Sequence, residues 1–244
     1  MTKAEQVTDS ATVSAAVAQR PGTERPCADA VDLQRCGDQV AAAVVDGAGH
    51  HPDVVRYAAV AAQVITHTGI ALGGLAALMT AGQMAHAYSA PPHASAVYAL
   101  VEPGRPSSVH WIGDARAYGW DGEHLTLWST DMTMGEWLRW NGGKTIEVIP
   151  IEVAETQDNW ARLGLAQAAA TTCRQVEIPQ EVPLVLLVSD GVSDQVSKET
   201  AEELCRTHGN DPQALADALV AAAQPDESGY RDDASAVVLL RRGA

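Results

Sequence analysis

Phenylalanine is absent from all 244 residues, although six tryptophans and five tyrosines are present. Any large core must therefore be built mainly from aliphatic side chains. Lysine is almost missing too, occurring only at Lys3, Lys144 and Lys198. With 16 basic against 31 acidic residues the formal charge is -15, which repels a polyanion and excludes nucleic acid as a partner. No Cys-x-x-Cys pair exists; Cys27, Cys36, Cys173 and Cys205 are far apart, so zinc ribbons and redox motifs are excluded and reduced thiols are expected. The opening MTKAEQVTDS lacks the basic and apolar regions of a secretory signal, and the expected location is the cytoplasm. Charge is missing altogether between Arg56 and Glu102, a stretch longer than the ~18 residues that raise the question of a membrane span. Gln63, His67, Gly69, Gly73, Gly74, Gln83 and His86 interrupt it, and its apolar residues are largely Ala, which is weakly driven into lipid. No membrane partner is expected; two helices covering a sheet fit better.

What is present supports one folded domain over residues 1–244, with 46% hydrophobic residues and a start over 1–25 expected to be an irregular or edge segment, carrying the loop signal RPGTERP. QVAAAVV at 39–45 reads as a buried strand stopped by Asp46-Gly47. Two Ala-rich segments follow Pro52 and are long enough for helices. Strands are expected at Ala96 to Val101, Val109 to Ile112, and Leu184 to Val188, the last stopped by Asp190-Gly191, with another at Ala234 to Leu240. RAYGWDGEHLTLW alternates about Asp121-Gly122 as a type I′ hairpin does. A further strand is expected at Thr145 to Val153 and helical structure at Asn159 to Ala170. Ser197 and Asp211-Pro212 read as starts of helices through Arg206 and Ala223.

Two segments share one design, a buried strand followed by Asp-Gly: VVDGAGHH at 44–51 and VSDGVSD at 188–194. GYRDDASAVVLL sets Asp232 and Asp233 just before a strand, and WIGDARAY sets Asp114 just after one. Any one of these alone is a turn signal. Together they deliver carboxylates to strand ends, where such oxygens suit Mg²⁺ or Mn²⁺ and would repel one another without cations. A glycine after the Asp lets a backbone carbonyl serve as a further ligand.

In order and context these segments resemble the metal-dependent protein phosphatases of type 2C in their bacterial form, whose patterns are D-G-M-G-G-H, G-D-S-R-A-Y, S-D-G-L-x-D and R-D-N-x-T. The resemblance runs from about Asp29 to Leu240. It implies an α+β fold, an α-β-β-α sandwich of two packed antiparallel sheets flanked by helices. It also implies hydrolysis of phosphorylated protein substrates at Ser or Thr by a metal-bridging water, with two or three Mn²⁺ or Mg²⁺ ions bound. Asp46 matches the bridging aspartate, Gly47 the carbonyl ligand, and Asp190 and Asp232 the other direct ligands. Asp114 and Asp194 match positions of a third, weaker ion. The opening R-x-x-N-E-D of the family is altered: ERPCADA keeps Asp29 as the last acid but has Cys27 and Ala28 for Asn and Glu. Arg25 lies one residue too close, so Arg20 and Arg25 are the candidates for gripping phosphate. Asp233 stands where Asn is usual. His50 and His51 adjoin the metal loop, as proton donors or as plain loop residues, whereas His93 and the remaining histidines read as structural and the tryptophans at 111, 120, 128, 137 and 140 as packing. An active phosphatase and a catalytically weak phosphatase-like binding module both remain open at this point. Oligomeric state is not legible.

Overall fold

Alternate residues of the strand Ala234–Arg242 enter two different cores, and that division organises the molecule. Val237 and Leu239 face one apolar cluster, while Ala234, Ala236, Val238 and Leu240 face another, as the two-residue period of a strand buried on both faces requires. A computed structural model of the protein describes residues 12–145 and 151–242. In chain order the strands are β1 (Thr12–Arg20), β2 (Ala30–Cys36), β3 (Gln39–Gly47), β4 (Ala94–Val101), β5 (Ser107–Ile112), β6 (Arg116–Trp120), β7 (Leu125–Leu127), β8 (Arg174–Ile178), β9 (Leu184–Val188) and β10 (Ala234–Arg242). The helices are α1 (Pro52–Leu72), α2 (Gly74–Ala85), α3 (Met134–Thr145), α4 (Ile151–Glu155), α5 (Asp190–Ser193), α6 (Lys198–His208) and α7 (Pro212–Ala222).

The strands form two five-stranded sheets, ordered β1-β10-β9-β6-β7 and β2-β3-β4-β5-β8, and every pairing is antiparallel. Helices α1 and α2 cover the second sheet, and α5, α6 and α7 lie on the outer side of the first. The result is an α-β-β-α sandwich. One core cluster fills the space between the sheets and under α1 and α2, rich in Ala, Val and Tyr; the other lies under α5 to α7. With no Phe available, Tyr57 and Tyr98 are the largest fully buried side chains, and the Tyr57 hydroxyl is satisfied by donating to the Ala81 carbonyl at 2.9 Å. Local sequence fixes the helix starts. Ser197 accepts from Thr200 N, and Asp211 accepts from Gln213 N and Ala214 N, with Pro212 following.

Several expectations are overturned, each for a physical reason. Of the two readings of the start, irregular or edge segment, residues 12–20 take the second and are not irregular: they form an edge strand paired along its whole length with β10, from Thr12↔Arg242 to Arg20↔Ala234. That partner lies more than two hundred residues away, beyond the reach of local pattern. β2 was equally hidden, because AVDLQRC is only half-buried and alternates weakly. Of the strand expected over Thr145 to Val153, Thr145 ends α3 and Ile151 to Val153 lie in α4; residues 146–150 are outside the described residues. Over Asn159 to Ala170 only one 3₁₀ turn forms, Leu165–Gln167. The backbone there is committed elsewhere: Met134 N donates to Trp160 O at 2.8 Å and Arg162 N to Met132 O at 2.9 Å, which removes the groups a helix needs. The β6–β7 hairpin pairs Trp120 with Leu125, leaving a four-residue loop in place of a type I′ turn. Asp121 Oδ1 accepts from Glu123 N at 2.8 Å and His124 N at 2.7 Å, so its side chain dictates the turn. Trp111 and Trp120 are buried, but Trp137 and Trp140 are exposed. Among the described residues no helix is long and apolar enough to cross a membrane.

Candidate metal centre

The registers bring the acidic segments to one end of the sandwich. Asp46, next to last in β3, lies opposite Ser95, the second residue of β4. β5 leaves its partner at Ile112, opposite Ala96, and Gly113-Asp114 turns the chain into β6. There Arg116 lies opposite Val188, which in turn faces Ala236 of β10. Asp190 therefore emerges from the end of β9 beside Asp232, which precedes the start of β10. Four carboxylates 186 residues apart in sequence at their extremes (Asp46 to Asp232) line one open cleft of about 540 Å³ together with Glu24, Gly47, His50, His93, Trp160 and Tyr230.

The electrostatics are those of unbalanced acids. Burial, then the charges of Asp29 and Asp114, push the Asp46 carboxyl well above the ordinary carboxylate range, while a hydrogen bond with Asp190 opposes this. Asp190 is raised by burial and by Asp46, Asp114 and Asp232. Asp114 is raised chiefly by burial, against a hydrogen bond from Ser95, whose Oγ donates to Asp114 Oδ1 at 2.5 Å. Asp29 lies behind the cleft; burial raises it, and hydrogen bonds from Ser189 and Ser235 lower it. Two carboxylate oxygens, Asp46 Oδ2 and Asp29 Oδ2, are buried with no hydrogen-bond partner. Such groups are costly unless a cation or a proton meets them.

The backbone beside the acids has no room for side chains. A Cβ on Gly47 would lie 2.7 Å from Val54 Cγ1 and 2.8 Å from the Ala28 carbonyl oxygen, so only glycine lets the Asp46 loop sit this close to its neighbours. A Cβ on Gly191 would run into the backbone carbonyl of Asp233 and approach Asp232 Cβ to 3.2 Å. We expect Gly191→Ala to force β10 away from α5, costing about 1–3 kcal/mol in urea unfolding and separating Asp190 from Asp232. Unchanged stability would show that this contact yields easily.

No family model and no curated protein sequence matches the chain, but solved structures do. Stp1, a serine/threonine phosphatase from Staphylococcus aureus, superposes with a TM-score of 0.74 at 16% identity, over 95% of this chain and 96% of that one. MsPP, a PPM Ser-Thr phosphatase from Mycobacterium smegmatis solved with cacodylate, gives 0.69 at 21% identity over 94% and 98%. The chain has the bacterial type 2C phosphatase fold. The catalytic domain of the serine threonine protein phosphatase PstP, solved with two manganese ions, shares it with a TM-score of 0.66 at 22% identity over 95% of this chain and 99% of that one.

Within this type 2C fold the expected site residues divide. Asp46, Gly47, Asp114, Asp190 and Asp232 line the same cleft. Asp194 does not: it pairs with Arg116 at 2.9 Å, is 44% exposed and lines a neighbouring depression with Asp131, Glu136, Arg139 and Asp158. Arg116 also chelates Asp131 through Nε and Nη2. Arg20 is committed to the end of α7, donating to the carbonyls of Val220, Ala221 and Ala223, as the end of a helix dipole favours. Arg25 is exposed and outside the cleft lining. Asp233 turns away from the acids: its oxygens accept from Gly22 N at 2.6 Å and Ala28 N at 2.7 Å, tying down the loop that carries Asp29. His51 caps α1. His50 faces the cleft, with Nδ1 2.8 Å from the Pro26 carbonyl oxygen and Nε2 3.4 Å from Glu24.

Glu24, His93, Trp160 and Tyr230 line the cleft without having been singled out as cleft residues. Only His93 had a local signal, since it immediately precedes the strand that faces Asp46. The donor chemistry fits divalent cations: hard carboxylate oxygens, two of them orphaned, beside a glycine carbonyl. Among the described residues no three Asp, Glu, His or Cys side chains are grouped to hold one ion as they stand. The acids are distributed around a cleft wall.

Proposed function

We propose that the protein is a metal-dependent serine/threonine phosphoprotein phosphatase that hydrolyses phosphomonoesters with Mn²⁺ or Mg²⁺. The observation that carries this reading is the charge of the cleft. Its lining contains five acids, Glu24, Asp46, Asp114, Asp190 and Asp232, and among the described residues no Lys or Arg. A phosphate dianion would be repelled by that wall unless cations intervene. Asp46, the Gly47 carbonyl, Asp190 and Asp232 would hold two ions, with Asp114, and Asp194 if Arg116 releases it, as the candidates for a third. When bound, the cations supply an activated water nucleophile and screen the phosphoryl oxygens. Asp29, buried behind Asp46, adds negative charge beside that carboxylate and so favours a cation there. His50 is oriented by Pro26 through Nδ1 and turns Nε2 toward Glu24 at 3.4 Å, so Nε2 would serve as a proton donor to the departing alkoxide only where that contact opens.

A second reading, a weak or inactive binding module on the same scaffold, is favoured by the missing phosphate grip. Hydrolysis of an aryl phosphate in Mn²⁺, in Mg²⁺ and in chelator separates the two. The first reading expects turnover that chelator abolishes; turnover indifferent to chelator defeats its mechanism, and none in any condition supports the second. Arg25 is the candidate to fold over the cleft and grip phosphate. If it does, Arg25→Ala raises KM by about 10–100-fold with little change in kcat, the value of a charged hydrogen bond; an unchanged KM removes Arg25 from the site.

A further inference from the structure

Among the described residues no Lys or Arg lines the acidic cleft, so no side-chain cation there grips a phosphoryl oxygen. His50, the candidate proton donor, has Nδ1 at the Pro26 carbonyl and Nε2 3.4 Å from Glu24. What the lining does offer is aromatic surface: Trp160 is 59% exposed and Tyr230 37% exposed, and both line the cleft. Each is presented from an anchored backbone. The Trp160 carbonyl accepts from Met134 N at 2.8 Å, next to the Thr133–Ala161 bridge. Tyr230 N donates to Asp226 Oδ1 at 3.0 Å and Tyr230 O accepts from Asp226 N at 2.8 Å. The Tyr230 hydroxyl donates to Asp232, which sets its ring against an acid of the cleft wall.

We propose that this cleft has a further activity on aryl phosphomonoesters, phosphotyrosine in a peptide above all, with Trp160 as the platform on which the leaving ring stacks. The inference rests on the metal-dependent phosphatase reading and adds to it a substrate class beyond Ser and Thr. Chemistry gives the first argument. The water oxygen bonds to phosphorus, the bond from phosphorus to the tyrosine oxygen breaks with its electron pair on that oxygen, and one proton of the water passes through solvent to it, leaving hydrogen phosphate. A phenolate, whose conjugate acid has a pKa of about 10, departs without the proton that a far more basic alkoxide needs in the transition state. A cleft whose histidine is engaged by Glu24 therefore handicaps serine more than tyrosine. Binding gives the second argument. With no side-chain cation on the phosphate, affinity must come from the leaving-group side, where an aromatic ring gains from offset or edge contact with an exposed indole and a serine side chain has nothing to offer it.

Two peptides of one sequence, carrying phosphotyrosine or phosphoserine at the same position, are compared by phosphate release from the full chain in Mn²⁺. kcat/KM for the tyrosine peptide is expected to equal or exceed that for the serine peptide. Trp160→Ala should lower the tyrosine-to-serine ratio about fivefold, chiefly through KM, and Trp160→Phe should restore most of it. Trp140→Ala removes another exposed tryptophan, one outside the cleft lining, and should leave the ratio as it is. A tyrosine peptide slower than the serine peptide overturns the proposal while the phosphatase reading stands. A ratio that Trp160→Ala does not move, or that Trp140→Ala moves equally, overturns the stacking role. Release from neither peptide contradicts the phosphatase reading itself, and this activity with it.

Discussion

Asp46→Asn and Asp190→Asn are each expected to lower Mn²⁺-dependent aryl phosphate hydrolysis by about 10³-fold, the equivalent of ~4 kcal/mol of barrier. Asparagine keeps the shape and one carbonyl oxygen but removes the charge that a divalent ion needs from a cleft wall. The same substitutions should raise the thermal stability of the chelator-treated protein. Asp46 is held above the ordinary carboxylate range by burial and by the charges of Asp29 and Asp114, and Asp190 by burial and by those of Asp46 and Asp114, and Asp46 Oδ2 has no partner, so deleting one charge relieves a cost that otherwise only a cation or a proton relieves. Opposite signs for activity and metal-free stability are the signature of residues kept for function at the expense of the apo fold. Asp121→Asn serves as the control. It removes an equal charge from the exposed hairpin, where Asp121 binds Glu123 N and His124 N, and should leave hydrolysis unchanged. Loss of activity in Asp121→Asn equal to that in Asp46→Asn would mean that net charge, not the cleft, governs the rate.

The central acids were legible because their signals are local. A strand ending in Asp-Gly carries its own direction, and antiparallel pairing then sends Asp46, Asp190 and Asp232 to the same end of the sandwich. The helix starts at Ser197 and Asp211 were legible for the same reason, since caps act within three residues. What was hidden depends on distant partners. β1 exists because β10 offers an edge, and the 159–170 segment stays irregular because its backbone serves the 132–134 bridge. Trp160 and Tyr230 reach the cleft from loops whose course is set by tertiary packing. Arg20 was misleading in a different way: an arginine near the opening motif matches a phosphate grip by sequence position, yet the carbonyls at the end of α7 claim it. Spacing reported which residues are near in the chain, and only the folded register reports which donors are still free.

The pH dependence of stability should reverse when manganese is added. Asp29, Asp46, Asp114 and Asp190 all have carboxyls raised above the ordinary value in the folded chain. In the pH window between the unfolded carboxylate pKa and the raised folded values, the native state binds more protons than the unfolded state, so stability falls as pH rises. Chelator-treated protein should accordingly melt at a lower temperature at pH 7.5 than at pH 5.5, until at still lower pH the other carboxylates protonate. Cations compete with those protons for the same oxygens and bind best when the acids are ionised. At about one hundred times its Kd, Mn²⁺ adds ~2.7 kcal/mol, or about 5–10 °C in Tm for a chain of this size. That gain should be nearly complete at pH 7.5 and small at pH 5.5, so the two melting curves converge on acidification. Melting scans at both pH values, with Mn²⁺ and with chelator, read all four quantities. A manganese shift of equal size at pH 5.5 and 7.5 would mean that the ion binds away from these buried acids, and the cleft would lose its claim to the metal.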